Sequence, residues 1–217
     1  MRKTPLVKGS FYHIFNRGVN KGDVFFSEAD YKRFLDAALH YKANNSKFSL
    51  RDKNSSPTNS DPVSDKQGEA KVQVLAYCLM SNHFHFLVKQ LTDSGITEYF
   101  RRLANGYSHY INIKYKRVGP LFQGRFKSVF VETDEQLIHL SRYIHLNPVV
   151  SHSVSDPMLY RWSSYRAYLQ EETNGLTDSV EQILGRFKSK KDYGQFVLDQ
   201  VDYGNELEKI KHLALEN

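Results

Sequence analysis

The chain has a single cysteine, Cys78, in 217 residues, so no disulfide can form within it and a disulfide-held scaffold is excluded. It also lacks a long apolar run. The longest, Val74 to Met80, falls far short of the ~20 residues that a bilayer span requires. The opening Met-Arg-Lys-Thr-Pro leads into no apolar signal stretch; together these absences predict a protein of the reducing cytoplasm with no membrane partner. A low-aromatic, disorder-prone composition is missing too. With 14 Tyr, 14 Phe and 1 Trp, the chain must bury a core.

Acidic residues are absent from one long window. Lys and Arg outnumber Asp and Glu by 30 to 24 over the whole chain, a net charge of +6. Between Tyr99 and Val131 there are seven cations (Arg101, Arg102, Lys114, Lys116, Arg117, Arg125, Lys127) and no acid. The tail from 171 to 217 is the reverse, with 6 basic and 10 acidic residues. The basic window is interleaved with Tyr99, Phe100, Tyr107, Tyr110, Tyr115, Phe122, Phe126 and Phe130. Cations for phosphates beside flat faces for splayed bases suit single-stranded nucleic acid; solvated helix faces with core aromatics produce the same composition. If all seven cations met phosphates of a single strand, the log–log salt slope would be about −5. Some must face away, so about half that slope is expected.

Periodicity gives the order β-α-β-β-α-β-α. Ser10–Asn16 is aromatic and strand-like, ended by Asn16-Arg17-Gly18. Ser27 reads as the N-cap of a helix with Tyr31, Phe34, Leu35, Ala38 and Leu39 at helical spacing. Asn44 to Gly68 is rich in Ser, Asn, Asp and Pro and reads as a long, mobile excursion. Lys71–Met80 and His83–Lys89 are strand-like, joined by the tight turn Ser81-Asn82. A helix capped by Asp93 or Ser94 runs to Lys114, and Arg125–Val131 alternates as a strand. Thr133 with Gln136 makes a capping box for a helix that Pro148 is expected to stop after Asn147. This order predicts an α+β protein with an antiparallel sheet and helices on one face, followed from Trp162 by two to four short C-terminal helices, some packed on the sheet and the acidic tail more loosely attached.

His83 and His85 sit two apart on the second hairpin strand, so their imidazoles share a face while Phe84 and Phe86 point to the other. Two adjacent imidazoles make a bidentate metal site, though a pair alone is more often an ordinary surface or interface motif and needs further ligands. Tyr143 and Asn147 are four apart on the last long helix and therefore stack on one face. Beside the two histidines they would give a metal-plus-nucleophile constellation. A free phenol, pKa ~10, is ionised about one time in a thousand at neutral pH, so it needs help to attack. The plain alternatives are a packing tyrosine and an Asn-Pro helix stop.

Taken together, these motifs resemble a known family. The blocks Tyr12-His13-Ile14-Phe15-Asn16-Arg17-Gly18, Ala76-Tyr77-Cys78-Leu79-Met80-Ser81-Asn82-His83-Phe84-His85-Phe86-Leu87-Val88, Gly119-Pro120-Leu121-Phe122-Gln123-Gly124-Arg125-Phe126-Lys127, Arg142-Tyr143-Ile144-His145-Leu146-Asn147-Pro148-Val149 and Trp162-Ser163-Ser164-Tyr165 are collinear. They resemble the single-tyrosine HUH transposases, most of all the REP-associated tyrosine transposase branch. The resemblance implies a ferredoxin-like domain over residues 1–170 with a mobile insertion at 44–70, and an acidic helical extension over 171–217. It implies a transposase that nicks and rejoins single-stranded DNA at hairpin-associated sites through a 5′-phosphotyrosine. In that scheme Tyr143 is the nucleophile, and His83, His85 and Asn147 hold Mg²⁺ or Mn²⁺. Relatives work as dimers or as monomers, so a homodimer is compatible with it. Asn16, Arg17 and the seven cations of the basic window are the candidate DNA contacts. The competing reading is a nucleic-acid-binding protein that keeps the fold without cleavage; the intact His-x-His and Tyr-x-x-x-Asn argue against it.

Overall fold

The computed structural model describes residues 5–43, 48, 69–170, 175–177 and 180–200. The excursion expected from Asn44 to Gly68 lies outside the described residues, apart from Phe48. Four strands form one antiparallel sheet: β1 (Phe11–Arg17), β2 (Val72–Met80), β3 (His83–Gln90) and β4 (Lys127–Val131). Their order is β2-β3-β1-β4, with α1 (Glu28–Ala43) between β1 and β2 and α2 (Gly95–Lys114) between β3 and β4. This is the split β-α-β-β-α-β arrangement expected of a ferredoxin-like sheet.

Each strand follows from its alternation. Along β1, Tyr12 and Ile14 are buried on one face, while Phe11, His13, Phe15 and Arg17 turn to the other. Ser81-Asn82 is the two-residue connection of the β2–β3 hairpin, pairing Met80 with His83. Within β2 the register shifts between Val74 and Ala76, so Val72 and Val74 share a face with Tyr77 and Leu79. A bulge of this kind reverses which residues point inward.

The two faces carry two cores. On the first, α1 and α2 bury Phe34, Tyr99, Phe100, Leu103 and Tyr107 against Tyr12, Ile14, Phe84, Phe86 and Val88. The rings of Phe34 and Phe84 are 5.4 Å apart, and those of Phe84 and Phe100 are stacked at 6.1 Å. This is the one-faced helical layer that the element order predicts. The second face, however, is covered as well. Helix α3 (Asp134–Val150) packs there with α4 (Tyr165–Leu169), α5 (Glu181–Leu184) and α6 (Lys190–Leu198). Leu137 and Ile144 of α3 join Leu75, Leu87, Tyr168, Ile183, Tyr193 and Val197 in that core. The segment expected as an appended extension therefore supplies fully buried residues up to Val197.

Two further features set the position of α3. Thr133 caps it by accepting from Gln136 N at 3.1 Å, while Gln136 Oε1 accepts from Glu132 N at 2.8 Å. Contrary to expectation, Pro148 does not end the helix, which continues to Val150. Near a C-terminus, only one carbonyl in the preceding turn forgoes its donor to proline, and Ser151 N closes the last turn on Asn147 O at 3.0 Å. Buried polar bonds then tie α3 inward. His145 Nδ1 meets the Tyr193 hydroxyl at 2.7 Å, and its Nε2 meets Ser164 Oγ at 2.8 Å. Ser164 Oγ in turn accepts from Tyr77 N of β2 at 2.9 Å.

Candidate metal and nucleophile site

The sheet face opposite α1 and α2 carries both histidines. Cross-strand pairing sets Arg17 opposite His83 and Phe15 opposite His85, with His13 one pleat further along β1. The ring centroids of His83 and His85 are 4.9 Å apart, nearly perpendicular. Helix α3 lies over this face with Tyr143 and Asn147 on its near flank. Asn147 Oδ1 is 3.3 Å from His83 Nε2, and the Tyr143 ring stands edge-on to His85 at 5.4 Å and to His13 at 6.0 Å. Four residues from two distant stretches of sequence thus converge within one chain. Tyr143 remains 43% exposed, and no described residue hydrogen-bonds its hydroxyl.

The donor set fits a divalent cation. Asn82 Nδ2 donates to Lys21 O at 3.0 Å, which orients the carboxamide so that its Oδ1 faces His83 Nδ1 at 2.6 Å. A carbonyl oxygen only accepts, so the proton of a neutral His83 is on Nδ1. Nε2 and Asn147 Oδ1 then meet as two lone-pair donors. Their 3.3 Å separation is close to the about 3 Å between neighbouring ligands of a small octahedral dication. With His85, the set is two imidazoles and one carbonyl oxygen; no group of three His, Cys, Asp or Glu side chains among the described residues could hold a metal.

Two residues that contact the candidate histidine ligands were not singled out from the sequence. Asn82 is one; its position immediately before His83, in a turn too short to let the side chain drift, was the available signal. The other is His13. Its Nε2 lies 2.8 Å from His85 Nδ1, with the rings 5.0 Å apart and 24° from parallel. Burial pushes the His13 pKa down to about 4, so its ring is neutral at physiological pH. The strand alternation of β1 shows which face His13 takes, but only the pairing of β1 with β3 shows what it meets.

The candidate DNA contacts divide. Asn16 is only 6% exposed; its Nδ2 donates to Gly124 O at 3.0 Å and its Oδ1 accepts from Arg17 N at 2.9 Å. Its amide anchors the loop before β4 and is nearly buried. Arg17 is exposed on the histidine face, and Lys127, opposite Phe15 across the β1–β4 pair, shares that face. Arg125 is exposed two residues before it. Arg101, Arg102 and Lys114 belong to α2, on the far side of the sheet. Lys114 Nζ is bonded to the buried Asp30 at 2.6 Å. Burial would raise the Asp30 pKa, but hydrogen bonds from Lys114, Tyr115 and Ser27 hold it below its ordinary value. Lys116 and Arg117 occupy the turn after α2, the Arg117 guanidinium 5.7 Å from the Phe26 ring. The basic window is therefore not one surface.

Among the described residues no helix is long and apolar enough to cross a membrane. The family model described as IS200-like transposase matches residues 7–147. No curated protein matches the sequence. Among solved structures, the chain is similar to a REP-associated tyrosine transposase bound to a REP hairpin, with a TM-score of 0.56 and 15% identity. The alignment covers 82% of this chain and 93% of that one, and at this identity it speaks for the fold alone.

Proposed function

The chain belongs to the IS200-like transposase family, and from that premise we propose that it cuts and rejoins single-stranded DNA beside hairpins, with Tyr143 as nucleophile and His83, His85 and Asn147 as ligands of a divalent metal ion. The observation that carries this reading is the convergence of those four side chains inside one chain. Tyr143 stands beside its own chain's His85, which supports use of the nucleophile in cis. The hairpin held by the structural relative supports hairpin DNA as the substrate class.

In this reading the Tyr143 oxygen attacks the scissile phosphorus. A bond from phosphorus to the phenolic oxygen forms as the bond to the 3′-oxygen breaks. The phenolic proton leaves to solvent and the 3′-oxygen takes one up, giving a free 3′-hydroxyl and a 5′-phosphotyrosine. That ester conserves the phosphodiester, so attack by a 3′-hydroxyl reverses the step and joins strands without ATP. Mg²⁺ or Mn²⁺ bound at the site would polarise the phosphate and offset the charge that develops on it. An imidazole pair suits Mn²⁺ better than Mg²⁺. Arg17 and Lys127, on the same face, bind the flanking backbone.

Incubation of the full chain with a hairpin-flanked single-stranded oligonucleotide and Mn²⁺ tests the proposal by denaturing electrophoresis. A covalent protein–DNA adduct is expected from the wild type and none from Tyr143→Phe. An adduct that persists in Tyr143→Phe overturns the assignment. DNA bound tightly with no adduct from wild type leaves the non-catalytic binder as the better account.

A further inference from the structure

We propose that His13 is a positioning residue that accepts a hydrogen bond from His85 Nδ1–H and so fixes His85 in the tautomer whose Nε2 binds metal; this rests on the metal reading above. The two ring nitrogens lie 2.8 Å apart, a distance at which one proton must sit between them. A neutral imidazole carries one N–H and one lone pair. If His13 donated, the only proton of His85 would sit on Nε2 and that nitrogen could not ligate. If His85 donates, Nε2 keeps its lone pair.

His83 shows the same construction one pleat away. Its Nδ1 is held at 2.6 Å by Asn82 Oδ1, an oxygen that only accepts, and its Nε2 faces Asn147. His13 stands toward His85 as Asn82 stands toward His83. Each imidazole is anchored through Nδ1, which leaves Nε2 as the nitrogen that would ligate. The anchors differ in kind, since His13 comes from β1 and is held in place by its neighbours: Phe15 at 4.9 Å and Tyr143 at 6.0 Å between ring centroids. An outer-shell acceptor of this sort fixes ring orientation and raises the basicity of the ligating nitrogen. Its loss costs about 10–100-fold in metal affinity.

Two measurements on the full-length chain test this, neither of them an activity. In the first, long-range ¹H–¹⁵N NMR of metal-free wild type reads the tautomer of His85, assigned by its loss in His85→Gln. The Nδ1–H pattern is expected, and the Nε2–H pattern overturns the inference. In the second, calorimetric titration gives Mn²⁺ affinity. His13→Leu is expected to weaken it about 10–100-fold, and His13→Gln, which retains an accepting oxygen, to restore most of the loss. Equal affinity in wild type and His13→Leu, with binding abolished in His85→Ala, overturns the role of His13 alone. No Mn²⁺ binding by wild type overturns the metal reading and this inference with it. Should His13→Leu fail to fold, the wild-type tautomer decides the matter.

Discussion

At the scale of single residues, the site separates chemistry from stability. Tyr143 is half-exposed and its hydroxyl has no hydrogen-bond partner among the described residues. Tyr143→Phe should therefore change unfolding free energy by no more than about 0.5 kcal/mol while removing the covalent adduct; chemical denaturation and electrophoresis on one preparation check both halves. His145, two residues on, is the opposite case. It is fully buried between Tyr193 and Ser164, and burial pushes its pKa down to about 3 from 6.5. The unfolded chain takes up that proton below about pH 6.5, whereas the folded chain resists until about pH 3. The stability His145 permits is thus fully present above pH 6.5 and is lost progressively as pH falls towards 3. The slope approaches about 1.4 kcal/mol per pH unit for one proton. His13, lowered to about 4 by burial, acts in the same direction. Urea midpoints at pH 7 and pH 5 should show wild type weakening, and His145→Gln should be less stable at pH 7 but less sensitive to acid.

At the scale of elements, close approaches decide what can change. Gly18 follows β1, and its N–H donates to Asn82 O at 2.8 Å, fastening the loop after β1 to the hairpin turn before His83. A Cβ there would stand 2.0 Å from Gly22 O and 3.0 Å from Val24 Cγ1. Gly18→Ala must displace backbone and is expected to cost about 1–3 kcal/mol, as overpacking does. Because Lys21 O in that loop orients the Asn82 amide, the variant should also weaken Mn²⁺ binding; denaturant titration and calorimetry read the two effects separately. Elements of this kind differ in how far the sequence reveals them. The β2–β3 hairpin and the cap at Thr133 are legible because their signals span only a few residues. Three other features are not. The bulge near Leu75 lies in a run apolar at every position, where period cannot show which face is which. Proline near a helix end loses little, so Pro148 gives no reliable stop. Helices α5 and α6, at 4 and 9 residues, are too short to form without the sheet they cover.

At the scale of the whole molecule, the sheet sorts the charge that the chain order mixes. A composition window averages along the sequence, and the antiparallel fold then sends neighbours to opposite sides. Lys127 lies with Arg17 on the histidine face, while Arg101, Arg102 and Lys114 ride on α2 across the sheet. The same reason hid His13, whose partner is 72 positions away and is reached only through the pairing of β1 with β3. Sorting the charges has a measurable consequence. If a single strand crosses the site on the Tyr143 face, it meets Arg17, Arg125 and Lys127, and three phosphate contacts give a log–log salt slope of about −2. All seven cations of the basic window would give about −5. Binding of an unstructured oligonucleotide, followed by anisotropy from 50 to 200 mM salt, distinguishes the two. Arg17→Ala with Lys127→Ala should remove about 1.4 from the magnitude of the slope, and Arg101→Ala with Arg102→Ala should leave it unchanged. A slope near −5, reduced equally by either pair, would mean that the strand wraps both faces of the sheet and that Tyr143 acts on only part of a longer footprint.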